Sequence, residues 1–424
     1  MPQNTHWKRN IIVFLSSQAI SIVGSSLVQF AITWHITRIT QSGVYATLGI
    51  ICGFLPALFL SPFAGVWADR YDRKKLIMIA DSLIALSTLV LALLFMSGHQ
   101  GIGLLLGVMV IRSFGSAVQG PAVGAILPEI VPDEQLTRVN GINQSVQSFL
   151  MLLSPMLATA LLGLPVEQPL VFVFFVDVVT AAAAVAVLLL WLKLPAKKTA
   201  EAAEKENTGY FHDMKEGFMY IRSQPFLKHF FAFCILFFLM MSPPAFLTQL
   251  QVVRSFGDEY WRLSAIEITF SAGMVLGGII ISSWQGFRNR LHTMVLSGCV
   301  LGFCAFMLGI PMNFVLYNVF MALMGMVMLM FQTPAMVVLQ QRVAPQMMGR
   351  VFGVMTMLSS SLMPLGMLVF GPLADMMRIE WLLMGSGLIM LPGSILMLRS
   401  KPFYAACEPL ESAVESEETS SPEA

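Results

Sequence analysis

The chain has 424 residues, of which 56% are hydrophobic and only 12% charged, with 25 Lys and Arg against 24 Asp and Glu and a mean hydropathy of +0.75. A soluble protein carries about a quarter charged residues, so a water-soluble enzyme or signalling domain is excluded. A net charge of +1 and five unpaired-looking cysteines give no nucleic-acid footprint and no metal-ligand spacing.

A bilayer core about 30 Å thick requires roughly 20 apolar residues per helix. Twelve segments meet that requirement, at 11–37, 44–66, 76–96, 102–124, 139–163, 169–192, 226–250, 263–285, 292–311, 313–339, 348–373 and 379–398. The chain is therefore read as an all-α polytopic membrane protein of 12 transmembrane helices. The first segment follows Lys8 and Arg9; it is too long for a secretory signal and has no small-residue cleavage site after it, so it is expected to be retained. Phe30 and Trp34 give this helix aromatic surface and are the substrate-pocket candidates. Between the second and third segments stands Gly65-Val-Trp-Ala-Asp69-Arg70-Tyr-Asp72-Arg73-Lys74-Lys75, a charge density that only a tight hairpin at the membrane surface accommodates.

Further along, four charged residues fall inside the spans: Asp81 in the third, Arg112 in the fourth, Asp177 in the sixth and Glu267 in the eighth. Arg112 lies about 16 Å deep at 1.5 Å per residue. A buried charge there costs at least about 2.5–3.5 kcal/mol, so it needs a carboxylate, a carbonyl or water. A carboxylate whose ionisation responds to desolvation and to a neighbouring arginine can alternate between neutral and charged forms as access switches. Arg112, Asp81, Asp177 and Glu267 are thus the proton-coupling candidates, each with a satisfied structural ion pair as the alternative. In the fifth segment Pro155 interrupts the backbone ladder and is expected to act as a hinge. Spacings of four at Gly49/Gly53, Gly103/Gly107 and Gly273/Gly277 predict close helix approaches. The methionines of the tenth segment, Met321 to Met330, either pack against neighbouring helices or line a pocket.

The charged stretch 193–225 separates an N-terminal half (1–192) from a C-terminal half (226–400); its early part is expected to be a loose cytoplasmic linker and its later part a surface helix. Residues 401–424, rich in Glu, Ser and Pro, are expected to be a disordered acidic tail. The halves echo each other. Gly120-Pro121-Ala122, Val131-Pro132 and Arg138-Val139-Asn140-Gly141 are matched by Thr333-Pro334-Ala335, Ala344-Pro345 and Arg350-Val351-Phe352-Gly353, at offsets of 213, 213 and 212, which argues for a duplicated six-helix unit. With both termini inside, only Arg38, Arg254, Arg262 and Arg378 fall outside, the orientation that retained basic residues require.

The run Gly65, Asp69, Arg70, Arg73 resembles motif A of the major facilitator superfamily, and Arg112-x-x-Gly115 before Gly120-Pro121 resembles its motif B. Gly53-Phe54-Leu55-Pro56, Ile111-Arg112-Ser113, Ile266-Glu267-Ile268 and Gly349-Arg350-Val351-Phe352, among other stretches, resemble the macrolide efflux branch nearly end to end. The resemblance implies the major facilitator fold of two six-helix halves, a conformational latch at Gly65, Asp69, Arg70 and Arg73, and a link between Arg112 and proton transfer. It implies a non-enzymatic exporter of the bacterial inner membrane, multi-pass with both termini cytoplasmic, that expels small lipophilic antibiotics in exchange for protons. Such a protein has membrane lipid around it, needs no cofactor or nucleic acid, and is expected to act as a monomer. Export of a siderophore or another small molecule, import of a nutrient, and a transporter-like membrane sensor are the competing readings.

Overall fold

The computed structural model describes residues 7–192, 210–284 and 286–408. It is all-α. In chain order the helices are α1 (Trp7–Thr40), α2 (Gly43–Arg70), α3 (Arg73–Met96), α4 (Ile102–Ile130), α5 (Asp133–Leu162), α6 (Pro169–Trp191), α7 (Tyr210–Ser223), α8 (Pro225–Ser255), α9 (Tyr260–Trp284), α10 (Arg290–Leu308), α11 (Phe314–Arg342), α12 (Met348–Met376), α13 (Ile379–Leu396) and α14 (Lys401–Ala406). Twelve of the described helices, all but α7 and α14, are long and apolar enough to cross a bilayer. Several run beyond the apolar windows: α1 begins at Trp7 and α5 at Asp133. Hydrophobicity marks only the part in hydrocarbon, and the helix continues through the headgroup region on polar residues.

Local chemistry sets the helix starts. Asp72 accepts from the Lys75 N–H at 3.2 Å, Asn289 from Leu291 at 2.9 Å and Asn313 from Leu316 at 2.8 Å, each satisfying a donor that the first turn leaves open. Pro169 and Pro225 occupy the first turns of α6 and α8, where the missing N–H costs nothing.

The chain divides into two compact units, Met1–Lys205 with Gly257–Ser264, and Glu206–Phe256 with Ala265–Ala424. In the first unit α2 packs on α4, α3 on α4 and α6, and α1 on α5 and α6. Its core includes Phe14, Leu27, Ile32, Trp34 and Phe174, all fully buried, with Phe95 edge-on to Phe174 at 5.7 Å. The short segment Gly257–Ser264 joins this unit through Arg38, whose Nε lies 2.8 Å from Asp258 and whose guanidinium sits 5.0 Å over the Tyr260 ring. Arg38 holds the exposed Asp258 carboxyl below the usual carboxylate range.

In the second unit α10 packs on α11 and α13, α8 on α12 and α13, and α7 on α12. Phe237 and Phe331 stack at 4.3 Å. Gly273 and Gly277 bring α9 against α11: a Cβ at either would land in the carbonyl of Ala322 or Met326. The other two spacings make no such approach, since Gly49, Gly103 and Gly107 face open space; spacing alone does not say which side of a helix the small residues occupy. Met321, Met324 and Met330 are buried inside this unit.

The acidic tail begins later than its composition predicts. Lys401–Ala406 is helical, Phe403 and Cys407 are fully buried, and the Arg342 guanidinium donates to the carbonyls of Ala406 and Glu408 at 2.9 Å. Two aromatics ahead of the glutamates supply an apolar face, and a cation caps the helix end where the carbonyls lack partners. Burial pushes the Cys407 thiol up to about 12. Residues 409–424 and the early linker lie outside the described residues.

Candidate functional site

The first unit gathers three of the four intramembrane charges. Arg112 on α4 is 5% exposed and Asp177 on α6 is fully buried, with Nη1 2.5 Å from Oδ2. Thr88 on α3 stands between them, its hydroxyl 2.9 Å from the same carboxylate oxygen and accepting from Arg112. The other guanidinium nitrogen, Nη2, donates to the Ser25 carbonyl of α1 at 3.0 Å. Gly24 permits this arrangement, because a Cβ there would sit 3.1 Å from the Asp177 Cα. Four helices thus converge on one ion pair. A buried pair repays its desolvation only when its remaining polar atoms are also satisfied; here Asp177 Oδ1 has no partner.

Asp81 on α3 is 1% exposed. Its Oδ1 accepts from the Ser21 hydroxyl and the Gln119 amide, both at 2.8 Å, while Oδ2 has no partner. A proton on Oδ2 would leave both hydrogen bonds to Oδ1 in place, so the same surroundings suit the neutral and the ionised carboxyl.

A cavity of about 540 Å³ opens beside these groups, walled by α1, α2, α4 and α5. Arg112 lines it, as do Ser21 and Gln119, the two donors to Asp81. The cavity therefore touches the ion pair directly and the second carboxyl through one layer of hydrogen bonds. Phe30 lines it. Trp34 does not: its ring packs behind Phe30 at 5.3 Å and is fully buried in the core.

The other sequence candidates lie elsewhere. Glu267, on α9 in the second unit, accepts from the Gln249 amide at 2.8 Å, and its side chain is partly accessible. Pro155 lies inside an unbroken α5, with the Ser264 hydroxyl 3.0 Å from its carbonyl. Of the charged hairpin, Arg73 donates to the Ala125 carbonyl at 2.6 Å and to Glu129 at 2.7 Å, tying the start of α3 to the end of α4. Gly65, Asp69 and Arg70 fall in the last turns of α2, and the side chains of Asp69 and Arg70 lie outside the described residues.

Thr88, Ser21 and Gln119 are neutral partners that no charge-based reading singles out. Their signal is positional. Ser21, Ser25 and Gln29 recur at intervals of four along α1, and Arg112, Ser116 and Gln119 lie on one face of α4.

The chain is 27% identical over 392 residues to Macrolide efflux protein A of Streptococcus pyogenes, covering 92% of this chain and 95% of that protein. It is 28% identical over 319 residues to Macrolide efflux protein A of Enterococcus faecalis, covering 75% and 97%. Among solved structures, a POT-family transporter in complex with a thioalcohol-conjugated peptide superposes with a TM-score of 0.69 at 12% identity, over 92% of this chain and 96% of that one, which shows a shared fold. The family match spans residues 14–367, and on that extent the chain belongs to the Major Facilitator Superfamily of membrane transporters.

Proposed function

We propose that the protein is a proton-coupled exporter of lipophilic antibiotics of the macrolide type, acting as a monomer in the bacterial cell membrane with both termini in the cytoplasm. The observation that carries this reading is the buried Arg112–Asp177 pair with Asp81 nearby, both reached from one cavity. The relationship to macrolide efflux proteins over nearly the whole chain supports the substrate class.

Protonation of Asp177 would remove the counter-charge of Arg112 and leave it the neutral Thr88 hydroxyl and Ser25 carbonyl. A guanidinium so stranded requires another acceptor or water, and the cavity it lines is the route to both. Deprotonation restores the pair. The cycle couples one proton to a rearrangement at the cavity wall, which alternating access requires. One proton moving down 100 mV supplies about 2.3 kcal/mol, enough for roughly a fiftyfold gradient of a neutral solute at 1.4 kcal/mol per decade.

The test is accumulation of a radiolabelled macrolide in susceptible bacteria expressing the chain, with and without a protonophore, beside Arg112→Ala and Asp69→Asn at matched membrane abundance. Lower accumulation that the protonophore abolishes, and that Arg112→Ala loses, is the expected result. Accumulation equal to the empty vector with abundant protein in the membrane overturns the macrolide assignment.

A further inference from the structure

The cavity in the first unit has a strongly polar wall for a site that serves a lipophilic solute. Four glutamines, Gln29, Gln119, Gln144 and Gln147, and six serines line it, and among the described residues Arg112 is its one charged lining residue. That charge is engaged by Asp177. Neither Asp81 nor Asp177 is part of the wall; the donors that satisfy Asp81 stand between it and the cavity. A site that selects an ammonium group places a carboxylate in contact with the ligand. This one does not.

What the wall offers is neutral hydrogen-bonding capacity. Among the described residues, the side-chain amides of Gln29, Gln144 and Gln147 have no hydrogen bond to the protein, so each presents two donors and an acceptor. Hydroxyl groups both donate and accept, and they match this array. Phe30 adds an aromatic face, suited to the C–H face of a sugar ring. We infer that this cavity binds the saccharide portion of a glycosylated substrate, through the free amides of Gln29, Gln144 and Gln147, and that recognition here reads hydroxyls rather than positive charge. The inference rests on the export reading for the ligand's being a transported solute.

The experiment uses the full-length protein in nanodiscs with Ser148→Cys, a position exposed on the cavity wall, as a reporter outside the amide set. Alkylation of that thiol by N-ethylmaleimide is followed by peptide mass spectrometry. Four probes are compared: a macrolide bearing a neutral deoxysugar, the same macrolide with that sugar removed, octyl glucoside below its micelle threshold, and octylammonium. The glycosylated macrolide and octyl glucoside should protect the thiol at concentrations at least about tenfold lower than their sugar-free counterparts. Adding Gln29→Ala, Gln144→Ala or Gln147→Ala should weaken protection by the glycosylated probes about three- to tenfold each, the range of one neutral hydrogen bond, and leave the sugar-free macrolide unaffected. Octylammonium protecting as well as octyl glucoside, or glutamine variants that weaken both macrolides equally, overturns the inference. If octyl glucoside protects and neither macrolide does, the cavity inference stands and the macrolide assignment falls. If both macrolides protect alike, the reverse holds. Should the thiol resist alkylation, displacement of tritiated macrolide by the same probes from the otherwise wild-type protein gives the same comparison.

Discussion

Replacing Arg112 by Met is the perturbation whose consequence the geometry predicts most sharply. It strands Asp177, which is fully buried, away from the cavity wall, and left with the hydrogen bond that the Thr88 hydroxyl donates. Breaking a buried ion pair from one side costs about 3–5 kcal/mol. A stranded carboxyl escapes by taking up a proton, which for a group that ionises near 3.9 in water costs about 4 kcal/mol at pH 7, at 1.36 kcal/mol per pH unit. The two figures agree, and the second carries a sign. The folded variant holds a proton that its unfolded chain releases, so its stability should rise as pH falls, by about 1.4 kcal/mol for each unit between pH 7 and pH 5 relative to wild type. Asp177→Leu should cost less, because Arg112 lines the cavity, where water can reach it, and keeps the Ser25 carbonyl. The double variant Arg112→Met/Asp177→Leu removes both charges and should recover most of the loss without the pH dependence. Equilibrium unfolding of the purified protein in mild detergent at pH 5, 6 and 7 measures all four corners of the cycle. Single variants that each cost under about 1 kcal/mol at pH 7, and that simply add in the double, would show that no locked pair exists.

Three further predictions rest on other contacts. Asp81→Asn keeps an oxygen for Ser21 and Gln119 to donate to, so folding should be near wild type while protonophore-sensitive export is lost; a variant that still exports in the presence of a gradient removes Asp81 from the coupling path. Gly277→Leu should reduce folded protein severely, because its Cβ would enter the Met326 carbonyl, whereas Gly107→Leu, facing open space, should leave the yield of monodisperse protein unchanged. Arg38 holds the Asp258 carboxyl down, so the contact is intact above the ordinary carboxylate range and is lost as pH falls through the depressed value. Melting curves of wild type and Asp258→Asn should differ at neutral pH and converge below about pH 3.5, and a difference that grows in acid would contradict the assignment.

The spans were legible because hydrocarbon imposes a length that a single window detects; helix ends such as Trp7 and Asp133 were not, because they lie beyond that window. Arg112, Asp177 and Asp81 stood out because charge inside an apolar run is costly. Their pairing did not, since Arg112 and Asp177 are 65 residues apart and only the packing of α4 and α6 around α3 joins them. The cavity wall was the least legible part. Glutamine and serine are tolerated in membrane helices by bonding to one another, so neutral stripes raise no alarm until their faces are known. Trp34 illustrates the same limit from the apolar side: it lies one turn from Phe30, yet one ring meets the cavity and the other the core.

The two halves echo each other in sequence but divide the chemistry unequally, and the caps show how. Asp81 lies nine residues after the N-cap Asp72, and nine residues after the N-cap Asn289 stands Gly298. Asp177 lies nine after Gln168, and nine after Arg378 stands Gly387. Arg112 precedes Pro121 by nine, and Pro334 is preceded at the same distance by Gly325. Each of these three charges thus has a glycine as its counterpart, and each glycine marks a close approach. A Cβ at Gly298 would strike the Ser394 side chain, at Gly325 the Phe270 carbonyl, and at Gly387 the backbone of Gly302 and Phe306. One half holds these helix crossings with hydrogen bonds that a proton can break; the other holds two of the three with backbone contact and the third against the Ser394 side chain. Gly387→Ala should therefore lower the melting temperature and the yield of folded protein, since backbone cannot give way as a flexible side chain can. Export per folded molecule should stay near the wild-type value. A Gly387→Ala protein that folds normally yet loses proton-driven export would place coupling chemistry in the second half and refute this division.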